Sequence, residues 1–283
     1  MMTLSISSAL LSSIPSPSSG VLDIGPIPLR AYGICIGLGV IAAVLLSQRR
    51  WASCGHDPDD IATVATWAVP AGVVGGRLYH VITDNQRFRG QWLDAFKIWE
   101  GGLGVWGAVA GGAVGAYVVA KRRGYDLGDL FYATAPAIPL AQAIGRFGNY
   151  FNQELFGRPT DVPWALEIDP AHRPTGYEAF ETFHPTFLYE ALWNLAVVAA
   201  VIWVVPRVLP NLRRGFHFAA YVFLYTIGRL WIELMRIDSA NKVLGVRLNV
   251  WTSIIVGSVA AGLIWYGNRS RSRQPEASAE SVT

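Results

Sequence analysis

Three ionisable residues, Arg229, Glu233 and Arg236, follow one another at spacings of four and three in an otherwise apolar stretch. On a helix these spacings put all three on one face. An ionised side chain among lipid tails costs several kcal/mol, roughly, unless it meets a partner or a polar cavity. The face must therefore line an internal site. One carboxylate between two guanidinia leaves a positive charge uncompensated, which suits an anionic ligand such as a phosphate, held by the bidentate donors of arginine. A second polar group lies in GRFGNYFNQELFGR, residues 145–158. Arg146, Asn149 and Gln153 share one helical face there, Asn152 and Glu154 adjoin them, and Gly145, Gly148 and Gly157 permit close approach or a turn. Arg77, after Gly75-Gly76, Asp129 and Glu190 are further charges inside apolar runs.

The elements that must position these groups are membrane helices. Charged residues make up 15% of the 283, and the AVILMFWYC set makes up 52%. Ordinary soluble domains carry about 25% charge. A chain this apolar is solvated by lipid rather than water. Runs of about 20 apolar residues predict seven spans: 30–48, 61–82, 102–120, 129–149, 185–206, 216–235 and 249–267. The fold class is thus an all-α integral membrane bundle of about seven transmembrane helices. Residues 1–23 read as a mobile tail and 24–267 as the membrane domain. Residues 150–184 form a segment on the outer face, and 268–283 a disordered tail.

Basic residues gather at Arg49-Arg50, Lys121-Arg122-Arg123, Arg207 with Arg213-Arg214, and Arg269, Arg271 and Arg273. The positive-inside rule places that side in the cytoplasm, so the N-terminus is outside and the C-terminus cytoplasmic. A net charge of +3 gives no case for nucleic acid. Cys35 and Cys54 lie in unlike surroundings and suggest no disulfide framework. Glycines four apart, Gly33 and Gly37, Gly72 and Gly76, and Gly107, Gly111 and Gly115, fit close helix packing in lipid.

The residues quoted above, together with GGRLYH (75–80), HPTFLYE (184–190) and Ala31-Tyr32-Gly33, resemble the bacterial prolipoprotein diacylglyceryl transferases from about residue 24 to 267. The resemblance implies a multi-pass enzyme of the inner (cytoplasmic) membrane. It implies that the enzyme moves the diacylglyceryl group of phosphatidylglycerol to the lipobox cysteine of prolipoprotein signal peptides, among membrane lipids, with no metal or organic cofactor. By motif position it implies that Arg146 binds phosphatidylglycerol and that Arg229 is a second essential arginine. Tyr32, Asn149, Glu154 and Gly157 fall on other functional positions, and Arg77 joins the substrate-binding set. His184, Tyr189 and Glu190 match a more structural motif.

In one place the chain departs from the family. Many members carry a His before Gly-Gly at the start of the third span, a proposed general base. Here Gly101–Ala108 reads GGLGVWGA, and Trp106 stands in that place. Indole accepts no proton at neutral pH. His80, three residues after Arg77, becomes the candidate proton acceptor, with His184 second. An alternative from another class is a small transporter or channel for an anionic solute.

Overall fold

The computed structural model describes residues 13–24, 27–98 and 101–269. It divides into two compact units, one of residues 1–43 with 135–283 and one of 44–134. The helices are α1 (Ala31–Ala52), α2 (Asp59–Thr83), α3 (Val105–Arg123), α4 (Leu127–Thr134), α5 (Ala137–Phe151), α6 (Thr186–Ala199), α7 (Val205–Val208), α8 (His217–Met235) and α9 (Leu248–Arg269). A π-helical turn, Ala200–Val204, joins α6 to α7 in one continuous rod. Short 3-10 turns and three two-stranded antiparallel ribbons lie before and between the helices. They pair β1 (Val21–Ile24) with β2 (Ile27–Arg30), β3 (Leu166–Glu167) with β4 (Thr182–Phe183), and β5 (Lys242–Val243) with β6 (Val246–Arg247).

Among the described residues, five helical rods are long and apolar enough to cross a membrane: 31–52, 59–83, 186–208, 214–235 and 248–269. The expected third span is the 19-residue α3, whose apolar character is diluted by Gly107, Gly111, Gly112 and Gly115 and by Lys121-Arg122-Arg123 at its end. The expected fourth span, 129–149, is not one helix. It breaks into α4 and α5 around Pro136, which lacks an N–H and whose ring crowds the preceding turn. Pro139 is tolerated because it falls in the first turn of α5, where N–H groups have no intrahelical acceptor.

In the 44–134 unit, α2 and α3 lie backbone to backbone. A Cβ on Gly75 would stand 2.3 Å from the Gly107 carbonyl oxygen, and one on Gly107 would stand 2.2 Å from that of Gly75. The four-residue glycine spacing thus serves packing here. Gly33 and Gly37 differ: nothing lies within 4 Å of a Cβ at either. Asp129 is paired with His56 at 2.9 Å, and Trp51 stacks on that imidazole at 4.0 Å. The carboxylate that opens α4 therefore has a partner within its own unit.

In the other unit, α5 packs on α6, α6 on α8, and α8 on α9. Part of the N-terminal segment read as a tail is engaged in this unit. Ile14 bridges Leu166, and the Tyr150 hydroxyl donates to the Pro15 carbonyl at 2.9 Å. Residues 1–12 and 270–283 lie outside the described residues.

Gly107→Val is expected to lower the thermal unfolding midpoint of the detergent-solubilised protein, on the order of 1–3 kcal/mol of overpacking. Gly37→Ala, which meets open space, leaves it unchanged or raised.

Candidate functional site

The C-terminal halves of α5 and α8, the second turn of α6 and the β6 strand before α9 bring their charges together in the unit containing both chain ends. Glu190 on α6 is buried and stands between two arginines. Its Oε2 lies 2.5 Å from Arg146 Nη2, and its Oε1 lies 3.6 Å from Arg229 Nη1. One turn along α8, Glu233 is wholly enclosed, with Oε2 at 2.6 Å from Arg229 Nη2 and 3.9 Å from Arg236 Nη1. The helical spacing of four and three thus gives the contacts it implies.

Arginines on this face differ in what they have left to give. Arg236, just past the end of α8, is bidentate to Asp238: Nε donates to Oδ1 at 2.7 Å and Nη2 to Oδ2 at 2.9 Å. Arg247 is engaged through all three nitrogens. Nε donates to Glu233 Oε1, Nη1 to the Asp238 carbonyl and Nη2 to Asp238 Oδ2, at 2.6, 2.8 and 3.1 Å. Arg146 and Arg229 each make one close ion-pair contact through a single nitrogen among the described residues, and both keep some exposure, 19% and 15% of the side chain. A guanidinium has five N–H donors, so these two retain donors for an anion. Four guanidinia against the three carboxylates of Glu190, Glu233 and Asp238 leave one positive charge uncompensated. Burial pushes the Asp238 carboxyl up, but hydrogen bonds and charge from Arg236 and Arg247 outweigh it and hold the group below its ordinary value.

Around Arg146 the motif residues cluster. The Tyr32 ring lies so close to Gly148 that a Cβ there would be 2.4 Å from Cδ2. Asn149 Nδ2 donates to Glu154 Oε1 at 2.8 Å, and Asn152 Nδ2 donates to the same oxygen at 3.2 Å. Gly157 is where the chain after α5 meets α8. Its N–H donates to the His184 carbonyl at 2.9 Å, the next N–H donates to the Met235 carbonyl at 3.0 Å, and a Cβ would stand 2.9 Å from His184 Cβ. Gly157 therefore fixes the segment after α5 against the end of α8.

Gln153 leaves the face that its spacing predicts. The helix ends at Phe151, and Gln153 turns to φ 50°. Its side chain instead donates to Asp169 Oδ2 at 2.6 Å and accepts from the Asp169 N–H at 2.8 Å.

Arg77 and His80 sit on α2 in the 44–134 unit. Arg77 is buried, and its guanidinium donates to four backbone carbonyls: Nε to Ala95 at 2.7 Å, Nη1 to Gly101 and Gly102 at 2.7 and 3.1 Å, and Nη2 to Asp94 at 2.5 Å. Four of its donors thus hold the α2–α3 connection together, a clasp rather than an open anion site. His80 meets Phe88 edge-on at 5.8 Å and abuts Gly102, where φ is +74° and a Cβ would stand 2.5 Å from Nε2. Trp106 is half-exposed on α3.

His184 belongs to a short relay. Trp164 Nε1 donates to the Tyr189 hydroxyl at 2.9 Å, which lies 3.1 Å from His184 Nδ1. The phenol has its own hydrogen left to give, and Nδ1 is the acceptor in reach. Burial, then the charge of Arg158, lowers the His184 pKa and keeps the ring neutral.

Comparison with known proteins decides what this constellation belongs to. The family model for prolipoprotein diacylglyceryl transferase matches residues 19–266. The chain belongs to the prolipoprotein diacylglyceryl transferase family. It is 56% identical over 250 residues to the phosphatidylglycerol–prolipoprotein diacylglyceryl transferase of Streptomyces griseus, covering 87% of this chain and 75% of that one. The protein of the same name from Frankia alni is 53% identical, with 90% of this chain and 68% of that one covered. The Cutibacterium acnes protein is 46% identical, with 86% and 83% covered. The family is one of transferases, and of the motif residues that carried the resemblance, Tyr32, Asn149, Glu154 and Gly157 lie in the same unit as Arg146 and Arg229, while Arg77 and His80 lie in the other.

Sequence reasoning missed Arg247 and Asn249 and set Glu190 aside as structural. Glu190 carried a signal, a lone acid in an apolar run. Arg247 carried none, because it follows a turn and its approach to α8 is tertiary.

Two outcomes follow from these contacts. Arg77→Gln is expected to speed proteolytic cleavage within residues 84–104, read by limited digestion and mass spectrometry. For His184 the folded-state pKa lies below the unfolded value of 6.5. The unfolded chain therefore binds more protons between the two values, and stability falls as pH drops through that window and is fully present above it. Melting midpoints from pH 7.5 down to 5 should fall more steeply for the parent protein than for His184→Asn.

Proposed function

We propose that this chain transfers the diacylglyceryl group of phosphatidylglycerol to the thiol of a prolipoprotein cysteine in a lipobox, working in the bacterial inner membrane. The observation that carries the reading is the pair Arg146 and Arg229, on either side of Glu190 and partly exposed, while Arg236 is bidentate to Asp238 and Arg247 is engaged through all three nitrogens. The surplus positive charge suits the single negative charge of a phosphodiester. Family membership and the names of the relatives support the substrates.

In the reaction the cysteine sulfur attacks the glycerol carbon that bears the phosphate. The C–S bond forms as the C–O bond breaks, and the electron pair leaves with the phosphate oxygen as glycerol phosphate. The leaving group gains a negative charge during this step. Donors already fixed on the phosphate then bind the transition state better than the ground state. Nearby positive charge also lowers a thiol pKa from about 8.5 and raises the thiolate fraction. Asn149, Glu154, Tyr32 and Gly157 shape the approach to Arg146. His80 is the proposed acceptor of the thiol proton, on its place three residues after Arg77 in the GGRLYH motif. His184 is the weaker candidate, because Nδ1 faces the Tyr189 hydroxyl and burial lowers the basicity of the ring.

The basic helix ends Arg49-Arg50, Lys121-Arg122-Arg123 and Arg269 support a cytoplasmic C-terminus and an outer N-terminus. On that orientation the arginine site, at the C-terminal end of α8 and the N-terminal end of α9, opens toward the outer leaflet.

With labelled phosphatidylglycerol and a lipobox peptide, the purified protein is expected to place thioether lipid on the cysteine. Arg146→Ala should remove the activity, and Arg229→Lys should lower it by about tenfold or more, since a point charge does not replace a planar fork. Undiminished turnover in Arg146→Ala contradicts the site.

A further inference from the structure

The two oxygens of Glu233 face different partners. Oε1 accepts from Arg247 Nε at 2.6 Å and from Asn249 Nδ2 at 3.1 Å. Oε2 faces the arginines of its own helix, Arg229 at 2.6 Å and Arg236 at 3.9 Å. A carboxylate is planar and rigid, so groups that hold Oε1 also set the direction of Oε2. They thereby set the place of the Arg229 guanidinium, which reaches Oε2 through Nη2 alone.

Arg247 arrives on a small built device. The β5–β6 ribbon turns through Leu244 and Gly245, at φ 52° and 76°. The Leu248 N–H closes it by donating to the Asn241 carbonyl at 2.9 Å. This puts Arg247 at the end of β6 and Asn249 in the first turn of α9. Asp238 holds the far side of Arg247 through its carbonyl and Oδ2, and is itself gripped bidentately by Arg236. Arg247 is therefore fixed at both ends before it meets Glu233.

A wholly buried carboxylate needs partners for its charge and lone pairs; Oε2 has no hydrogen bond among the described residues and rests on its ion pair with Arg229, so Oε1 carries the hydrogen bonds. Without Arg247, Oε1 would keep only the Asn249 amide. The nearest guanidinium with donors in reserve is that of Arg229. It would turn further onto Glu233 and lose the N–H groups that an incoming phosphate needs.

We propose that Arg247, with Asn249 beside it, is a positioning residue for the transfer reaction. By satisfying Glu233 Oε1, it keeps Arg229 from being taken up by Glu233 and leaves the spare Arg229 donors for the phosphate of the lipid substrate. This rests on the reading that Arg229 binds that phosphate.

The test is a double-mutant cycle on the full chain, with labelled phosphatidylglycerol in mixed micelles and a lipobox peptide. Arg247→Gln is expected to raise the KM for phosphatidylglycerol by about ten- to a hundredfold, the worth of one charged hydrogen bond, with the peptide KM unchanged. Adding Glu233→Gln removes the charge that captures Arg229, and the double variant should recover a large part of the loss. A purely structural role predicts the reverse: the second change adds to the first. Arg247→Lys keeps the charge and one donor, and should fall between parent and Arg247→Gln. It carries the test if Arg247→Gln does not fold by thermal melting. An Arg247→Gln or Arg247→Lys enzyme with parental KM for phosphatidylglycerol overturns the inference, as does a double variant no better than Arg247→Gln. Failure of the parent protein to transfer lipid overturns the underlying functional reading instead.

Discussion

Buried carboxylates that must be neutralised organise the arginine site. Glu190 and Glu233 are enclosed on α6 and α8, where an unpaired charge costs several kcal/mol, roughly. Between them they gather guanidinia from several elements: α5 supplies Arg146, α8 supplies Arg229, the residue just past α8 is Arg236, and the β5–β6 ribbon supplies Arg247. The helices of this unit are thus cross-linked by charge at one end. With three carboxylates and four guanidinia, the network holds together and still carries one positive charge.

The same balance sorts residues that look alike in the sequence. Arg229 and Arg236 lie on one helical face, yet Asp238 takes Arg236 bidentately and leaves Arg229 with donors to give. Arg77, another buried arginine, donates to four carbonyls and organises a loop. An arginine in an apolar run is costly wherever it lies. What distinguishes a binding arginine is the number of N–H groups its own protein leaves unengaged.

Local periodicity made much of this legible. The contacts of Arg229 with Glu233 and of Glu233 with Arg236 are consequences of helical spacing. The membrane class came from composition, and the close packing of α2 on α3 came from glycines four apart. Readings that required knowing where a helix stops were less successful. The 129–149 span is broken at Pro136, and Gln153 leaves the Arg146 face because the helix ends two residues earlier. Arg247 and Asn249 were invisible for another reason: they reach Glu233 across 14 and 16 residues of chain, through a turn whose docking no periodicity encodes. The family resemblance supplied the reaction, while the division of labour among the arginines came from the geometry.

The central claim is that the phosphate of the lipid substrate is met by Arg146 and Arg229, with Arg236 and Arg247 remaining on their carboxylates. The most direct measurement is an experimental structure of the protein in a phosphatidylglycerol nanodisc. The account predicts phosphate oxygens within hydrogen-bond distance, about 3 Å, of both Arg146 and Arg229, with Arg236 still bidentate to Asp238. A phosphate held instead by Arg236, Arg247 or Arg77 would contradict it.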